Sequence, residues 1–259
     1  MTDTMTVPRT TDEKHAPRHK RWLRRLTRVG HREQRNLLLL LGVALAIWAL
    51  AELTDEVLGG DTHAFDAAVI MSLRVEGDTD DPIGPDWLEE MARDATALGG
   101  TLIACLATIG GACYLWIRGR WSQGLFLLIS VGSGLGISTF FKMWVDRPRP
   151  ELVPHGSIVY TASFPSGHSM MSAAVYLTIA ALLMRAESRG SVKLFLLLMA
   201  AGICLIVGLS RVYLGVHWPT DVLAGWTAGA AWAIICYLVG SWIGIFTKAE
   251  PVTSDLPPE

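Results

Sequence analysis

Long apolar blocks separated by short polar stretches dominate the chain. Six blocks stand out, at 37–53, 97–117, 123–141, 167–184, 194–214 and 222–246. A membrane-spanning helix needs about 17–25 mostly apolar residues. The pattern therefore predicts an all-α, polytopic membrane protein with six transmembrane helices in a bundle. Small residues recur inside the blocks, as in Gly132-Ser133-Gly134-Leu135-Gly136, and such residues let membrane helices approach closely. In the first outer connection, 65–74 and 87–94 read as short helices at the membrane surface.

Composition supports this. Hydrophobic residues make up 51% of the 259 positions before the 25 glycines are counted, and charged residues only 18%. Mean hydropathy is +0.37. Soluble domains hold about 45–50% apolar residues with glycine included and about 25% charged ones, so soluble and disordered classes are excluded. Cys105, Cys113, Cys204 and Cys236 all sit in apolar blocks. They make no disulfide framework and read as small buried hydrophobes.

Charge sets the orientation. The net charge is −2, so the whole chain is no general polyanion binder and no nucleic-acid partner is expected. Residues 1–36 hold ten Lys/Arg against four acids, a local charge of +6. Cations flanking a first span mark the cytoplasmic side, and Trp22, Leu23 and Leu26 among them suit a helix on anionic lipid. Residues 1–13 are expected to be disordered. Ala49-Leu50-Ala51 resembles a signal-peptide cleavage site, but the long basic stretch before it favours an uncleaved anchor. The segments 118–122 and 185–193 and the tail from Thr247 then lie inside. The outer segment 54–96 carries twelve acids and only Arg74 and Arg93. The expected organisation is a basic cytoplasmic segment (1–36), a six-helix membrane domain (37–246) and an acidic cytoplasmic tail (247–259).

Three polar stretches interrupt the apolar background, all on the outer side of this topology. The first is Lys142-Met-Trp-Val-Asp-Arg-Pro-Arg149-Pro150. Its prolines cannot continue a helix and push Arg147 and Arg149 toward extended geometry; alone, it could be an interfacial anchor. The second is Phe164-Pro165-Ser166-Gly167-His168-Ser169 before an apolar helix. Ser166 can cap that helix, and a helix start offers N–H groups to an anion; alone, it could be an ordinary cap with a bystander histidine. The third is Ser210-Arg211-Val-Tyr-Leu-Gly-Val-His217-Trp-Pro-Thr-Asp221. An arginine at the edge of a span usually marks a site. Asp221, four residues after His217, can orient the imidazole. Together the cations and N–H donors match a phosphate and its charged transition state. A metal site is not expected, because Lys142, Arg149 and Arg211 would repel a cation and no His/Cys/carboxylate cluster has ligand spacing.

Lys142-x6-Arg149-Pro150, Pro165-Ser166-Gly167-His168 and Ser210-Arg211-x5-His217-x3-Asp221 resemble, in order, the three-part signature of the type 2 phosphatidic acid phosphatase superfamily. That family includes membrane lipid phosphatases, glucose-6-phosphatase and soluble vanadium haloperoxidases. The resemblance implies an integral membrane phosphatase without cofactors, acting on lipid phosphates or diphosphates of the undecaprenyl diphosphate, phosphatidylglycerol phosphate or phosphatidate class. It implies His217 as nucleophile, Asp221 as its orienter and His168 as general acid. Lys142, Arg149, Arg211, Ser166 and Gly167 would hold the phosphate. Arg147 and Asp146 fall outside the signature and read as loop supports or headgroup contacts. Membrane lipids are the expected surroundings, in a bacterial plasma membrane with the site outward. The alternatives are a non-catalytic lipid-binding or transport protein, or a haloperoxidase-like enzyme, which six apolar spans disfavour.

Overall fold

The computed structural model describes residues 30–153 and 161–246. Most of the basic N-terminal segment and the whole acidic tail lie outside the described residues. So do the disorder expected of 1–13 and the lipid-surface helix expected around Trp22. The chain separates into residues 1–41 and 42–259, and the second unit holds the helical bundle with its polar stretches.

Helices make up most of the described residues: α1 (His31–Gly59), α2 (His63–Ser72), α3 (Asp86–Ala97), α4 (Thr101–Ile117), α5 (Trp121–Val145), α6 (Gly167–Ala186), α7 (Gly190–Tyr213) and α8 (Pro219–Trp242). Five of them, α1, α5, α6, α7 and α8, are long and apolar enough to cross a membrane. The block at 97–117 is shorter as a helix than expected. It starts at Thr101 and meets α3 at a bend of 46°, and the two count as a further span only when taken together. Leu98-Gly99-Gly100 forms the break. Gly99 packs so tightly that a Cβ there would lie 2.9 Å from the carbonyl oxygen of His168 and 2.5 Å from Val207.

A two-stranded antiparallel hairpin, β1 (Arg74–Val75) and β2 (Asp78–Pro82), was not expected from the sequence. Gly77 turns it with φ +86. The buried Arg74 ties it down, donating from Nη1 to the carbonyls of Leu73 and Tyr213, both at 3.0 Å. Tyr213 answers from α7, its hydroxyl donating to the Ile83 carbonyl at 2.9 Å.

The helices pack as membrane helices do. α6 is central and touches α4, α5, α7 and α8. Its sequence carries small Ala and Ser residues, so neighbours come close. At Gly225 of α8 a Cβ would lie 2.7 Å from the Ser166 carbonyl, and at Gly229, 2.5 Å from that of Met170. Backbone approach of this kind replaces the hydrophobic drive that lipid removes. Leu102, Leu106 and Ile109 on α4, and Leu194, Leu198, Leu205 and Leu209 on α7, remain exposed at helical spacing. Apolar stripes of this kind suit lipid and not water.

Gly208 of α7 faces the indole of Trp226, whose Nε1 donates to the Cys204 carbonyl at 2.8 Å. A Cβ at Gly208 would clash with that ring, whereas Gly132 has nothing within 4 Å. Gly208→Ala should lower stability by about 1–3 kcal/mol, the usual penalty of overpacking, and Gly132→Ala should not. Thermal unfolding in detergent checks this, and equal Tm values for the two variants would deny the close packing of α7 on α8.

Candidate active site

Four helix ends meet at one end of the bundle: the C-termini of α5 and α7 and the N-termini of α6 and α8. Each carries part of a polar stretch picked out in the sequence. Main-chain hydrogen bonds knit the three stretches together. Ser163 N–H donates to the Arg147 carbonyl and Ser166 N–H to the Asp221 carbonyl, each at 2.9 Å. Val216 and His217 N–H both donate to the Arg211 carbonyl, at 3.2 and 3.3 Å. Stretches far apart in the chain are thus fixed by backbone before any side chain is considered.

Local chemistry explains each end. α5 stops at Asp146, whose φ of 44° is left-handed and whose N–H donates to the Lys142 carbonyl at 3.1 Å; a short polar side chain tolerates that geometry. Pro148 prevents the helix from resuming. α6 starts at Ser166, whose hydroxyl accepts from the N–H of Ser169 at 3.5 Å and from its Oγ at 3.1 Å. α8 opens with Pro219 in its first turn, and Asp221 Oδ2 accepts from the Trp218 N–H at 3.0 Å.

His217 is 1% exposed. Its Nδ1 lies 3.4 Å from Asp221 Oδ2 and its Nε2 lies 3.0 Å from Arg149 Nη1. A guanidinium can only donate, so Nε2 is the acceptor and the proton sits on Nδ1, toward the carboxylate. Burial pushes the ring well below the usual histidine range, and Arg149, Arg211, Lys142 and His168 add to the effect. His217 is therefore neutral, with an unprotonated Nε2 among cations.

Those cations are held by neutral oxygens. Lys142 Nζ donates to the Ala162 carbonyl at 2.6 Å. Arg149 donates to the carbonyls of Val216 and Thr161, at 2.8 and 2.9 Å. Arg211 Nη1 donates to Thr96 Oγ1 on α3 at 3.1 Å. Its buried Nε has no hydrogen-bond partner among the described residues, and an anion's oxygen would satisfy it. Among the described residues, none of the three forms an ion pair with a carboxylate. His168, in the first turn of α6, is half-buried. At Gly167 a side chain would meet Lys142 Cε at 3.5 Å. Every expected site residue thus lies in this end of the bundle. Among the described residues no group of three His, Cys, Asp or Glu could hold a metal ion.

The sequence did not reveal what stands behind Asp221. Arg147, read as a loop support or headgroup contact, is buried and clamped between two carboxylates. Its Nη1 donates to Asp221 Oδ1 and its Nη2 to Asp66 Oδ2, both at 2.7 Å. Thr220 and Thr62 accept from the same nitrogens at 2.8 and 3.1 Å. Asp66 also accepts from the Thr220 N–H at 3.0 Å and from its hydroxyl at 2.6 Å. Asp66 and Thr96 come from the acid-rich outer segment, where twelve carboxylates looked alike. Only burial separates Asp66 from the rest.

The profile of the PAP2 superfamily matches residues 123–245. Phosphatidylglycerophosphatase B of Bacillus subtilis (strain 168) is 39% identical over 147 residues, covering 55% of this chain and 70% of the relative. An undecaprenyl-diphosphatase of Sulfolobus acidocaldarius is 35% identical over 91 residues, 33% of this chain and 32% of its own. Among solved structures, the first transmembrane PAP2 type phosphatidylglycerolphosphate phosphatase from Bacillus subtilis superposes with a TM-score of 0.70 at 29% identity. That match covers 78% of this chain and 96% of the other.

Proposed function

The chain belongs to the PAP2 superfamily, and from that membership we propose how its residues work as a membrane lipid phosphatase. The observation that carries the reading is the His217 ring, with its Nε2 accepting from Arg149 and its Nδ1 toward Asp221. In the first step Nε2 attacks the phosphorus. The N–P bond forms, the bond to the leaving oxygen breaks, and His168 supplies the proton that oxygen needs. Asp221 stabilises the positive charge that grows on the ring. Lys142, Arg149 and Arg211, with Ser166 and the Gly167 N–H, take the non-bridging oxygens. In the second step water attacks the phosphorus and gives a proton to His168, the bond from Nε2 to phosphorus breaks, and inorganic phosphate leaves. Covalent catalysis divides one hard displacement into two easier ones.

The substrates of this reading are lipid phosphate monoesters or diphosphates. Phosphatidylglycerol phosphate comes first, because the relative at 39% identity is a phosphatidylglycerophosphatase; undecaprenyl diphosphate and phosphatidate follow. The bent pair α3–α4 completes six crossings, with residues 37–246 as the catalytic domain and the flanking segments in the cytoplasm. The site opens at the outer face of a bacterial plasma membrane, with α2 and the start of α3 at its surface. Support for this orientation is the concentration of Lys/Arg in 1–36, 118–122 and 185–193.

His168→Ala should cripple hydrolysis of a lipid monoester such as dioctanoyl phosphatidate, by on the order of 10²-fold or more. It should retain far more activity on p-nitrophenyl phosphate, whose leaving group needs little protonation. The ratio of the two rates is the measurement, and an equal loss on both removes the general acid from His168. For the orientation, Asp80 in β2 is exposed. Asp80→Cys in a background lacking the four native cysteines should react with a membrane-impermeant maleimide in intact cells; reaction only after lysis inverts the topology.

A further inference from the structure

We propose that Asp66, on α2 and outside all three signature stretches, is a positioning residue for the nucleophile: by neutralising Arg147 it leaves the charge of Asp221 to act on His217. The inference rests on the phosphohistidine reading and adds a residue to it.

Charge counting carries the argument. Asp66 and Asp221 are both 0% exposed, and Arg147, 9% exposed, lies between them. Two carboxylates share one guanidinium, so the cluster carries a net −1. Asp221 Oδ2 lies 3.4 Å from His217 Nδ1. Without the Asp66 charge, Arg147 and Asp221 would close into a neutral pair. The His217 ring would then face Arg149, Arg211 and Lys142 with no compensating charge behind it. Attack on phosphorus makes the ring more positive, and a low-dielectric site amplifies any charge placed against that change. Asp66 also acts through the backbone. Its Oδ1 accepts from the N–H of Thr220, the residue before Asp221, which fixes the first turn of α8 where the orienting carboxylate sits. The Arg147 guanidinium also lies 5.3 Å from the centre of the Trp218 ring.

A bare mechanical clamp between α2 and α8 is the rival account, and charge tells the two apart. Asp66→Asn keeps the shape and much of the hydrogen bonding and removes one charge. Asp66→Glu keeps the charge and alters the shape. Phosphoenzyme formation from p-nitrophenyl phosphate would be followed by rapid alkaline quench in detergent, with inhibition by inorganic phosphate and thermal unfolding measured alongside. Formation should slow on the order of 10-fold or more in Asp66→Asn, while the inhibition constant for phosphate, set by Lys142, Arg149 and Arg211, changes less than about 2-fold. Asp66→Glu should form phosphoenzyme faster than Asp66→Asn even where its Tm is the lower of the two. If Asp66→Asn does not fold, Asp66→Ser removes the same charge, admits water beside Arg147 and carries the same expectation. Folded Asp66→Asn with wild-type phosphorylation overturns the proposal. So does a loss equal in the Asn and Glu variants that follows Tm. Wild-type enzyme that turns over without any trapped phosphate overturns the phosphohistidine reading itself, and the proposal with it.

Discussion

A carboxylate shut away from water at the start of α8 is the constraint on which the site depends. Burying a charge without partners costs several kcal/mol, so Asp221 is tolerable only where other groups converge on it. Arg147 comes from the loop after α5, the Trp218 N–H from the turn before α8, and His217 from four residues upstream. Meeting those needs pulls distant stretches to one point. The carbonyl of the same residue accepts from the Ser166 N–H, so the start of α6 is set by Asp221 too. Asp221, which faces His217, thus also organises the bundle end around it.

The bilayer explains why the chemistry is at helix ends. Cations within hydrocarbon are expensive, and Lys142, Arg149 and Arg211 sit where helices stop or have just stopped. Apart from the His217 Nε2 that faces Arg149, their contacts are carbonyl and hydroxyl oxygens, which position a cation without cancelling its charge. Their positive charge is left for an anion to balance. The glycines of α8 serve the same end from the other side. Gly225 brings the α8 backbone against the Ser166 carbonyl, which sets the spacing between the His217 turn and the first turn of α6.

Much of this was legible in the sequence. Spans are recognisable because lipid demands long apolar runs, and all five of the long apolar helices lie on predicted blocks. The signature residues are recognisable because fixed charges in apolar surroundings need a reason to be there. The rest depended on contacts between residues far apart in the chain. The bend at Gly99 arises from packing against His168 and Val207, which periodicity within 97–117 cannot show. The hairpin is held by Arg74 reaching Tyr213, 139 positions away. Asp66 is one acid among twelve in the outer segment, within a stretch, 65–74, that reads as a short helix at the membrane surface. In sequence, Arg147 reads as either a loop support or a headgroup contact, because its partners lie 74 and 81 positions away.

The central claim is that His217 attacks through Nε2 while Nδ1 is turned to Asp221. It is tested most directly by where the phosphate is bonded in the intermediate. Enzyme quenched in alkali during turnover, digested and sequenced by mass spectrometry should carry phosphate on His217. Nitrogen-15 NMR of the labelled phosphoprotein should place it on Nε2. Phosphate on His168, or on Nδ1 of His217, would contradict the account.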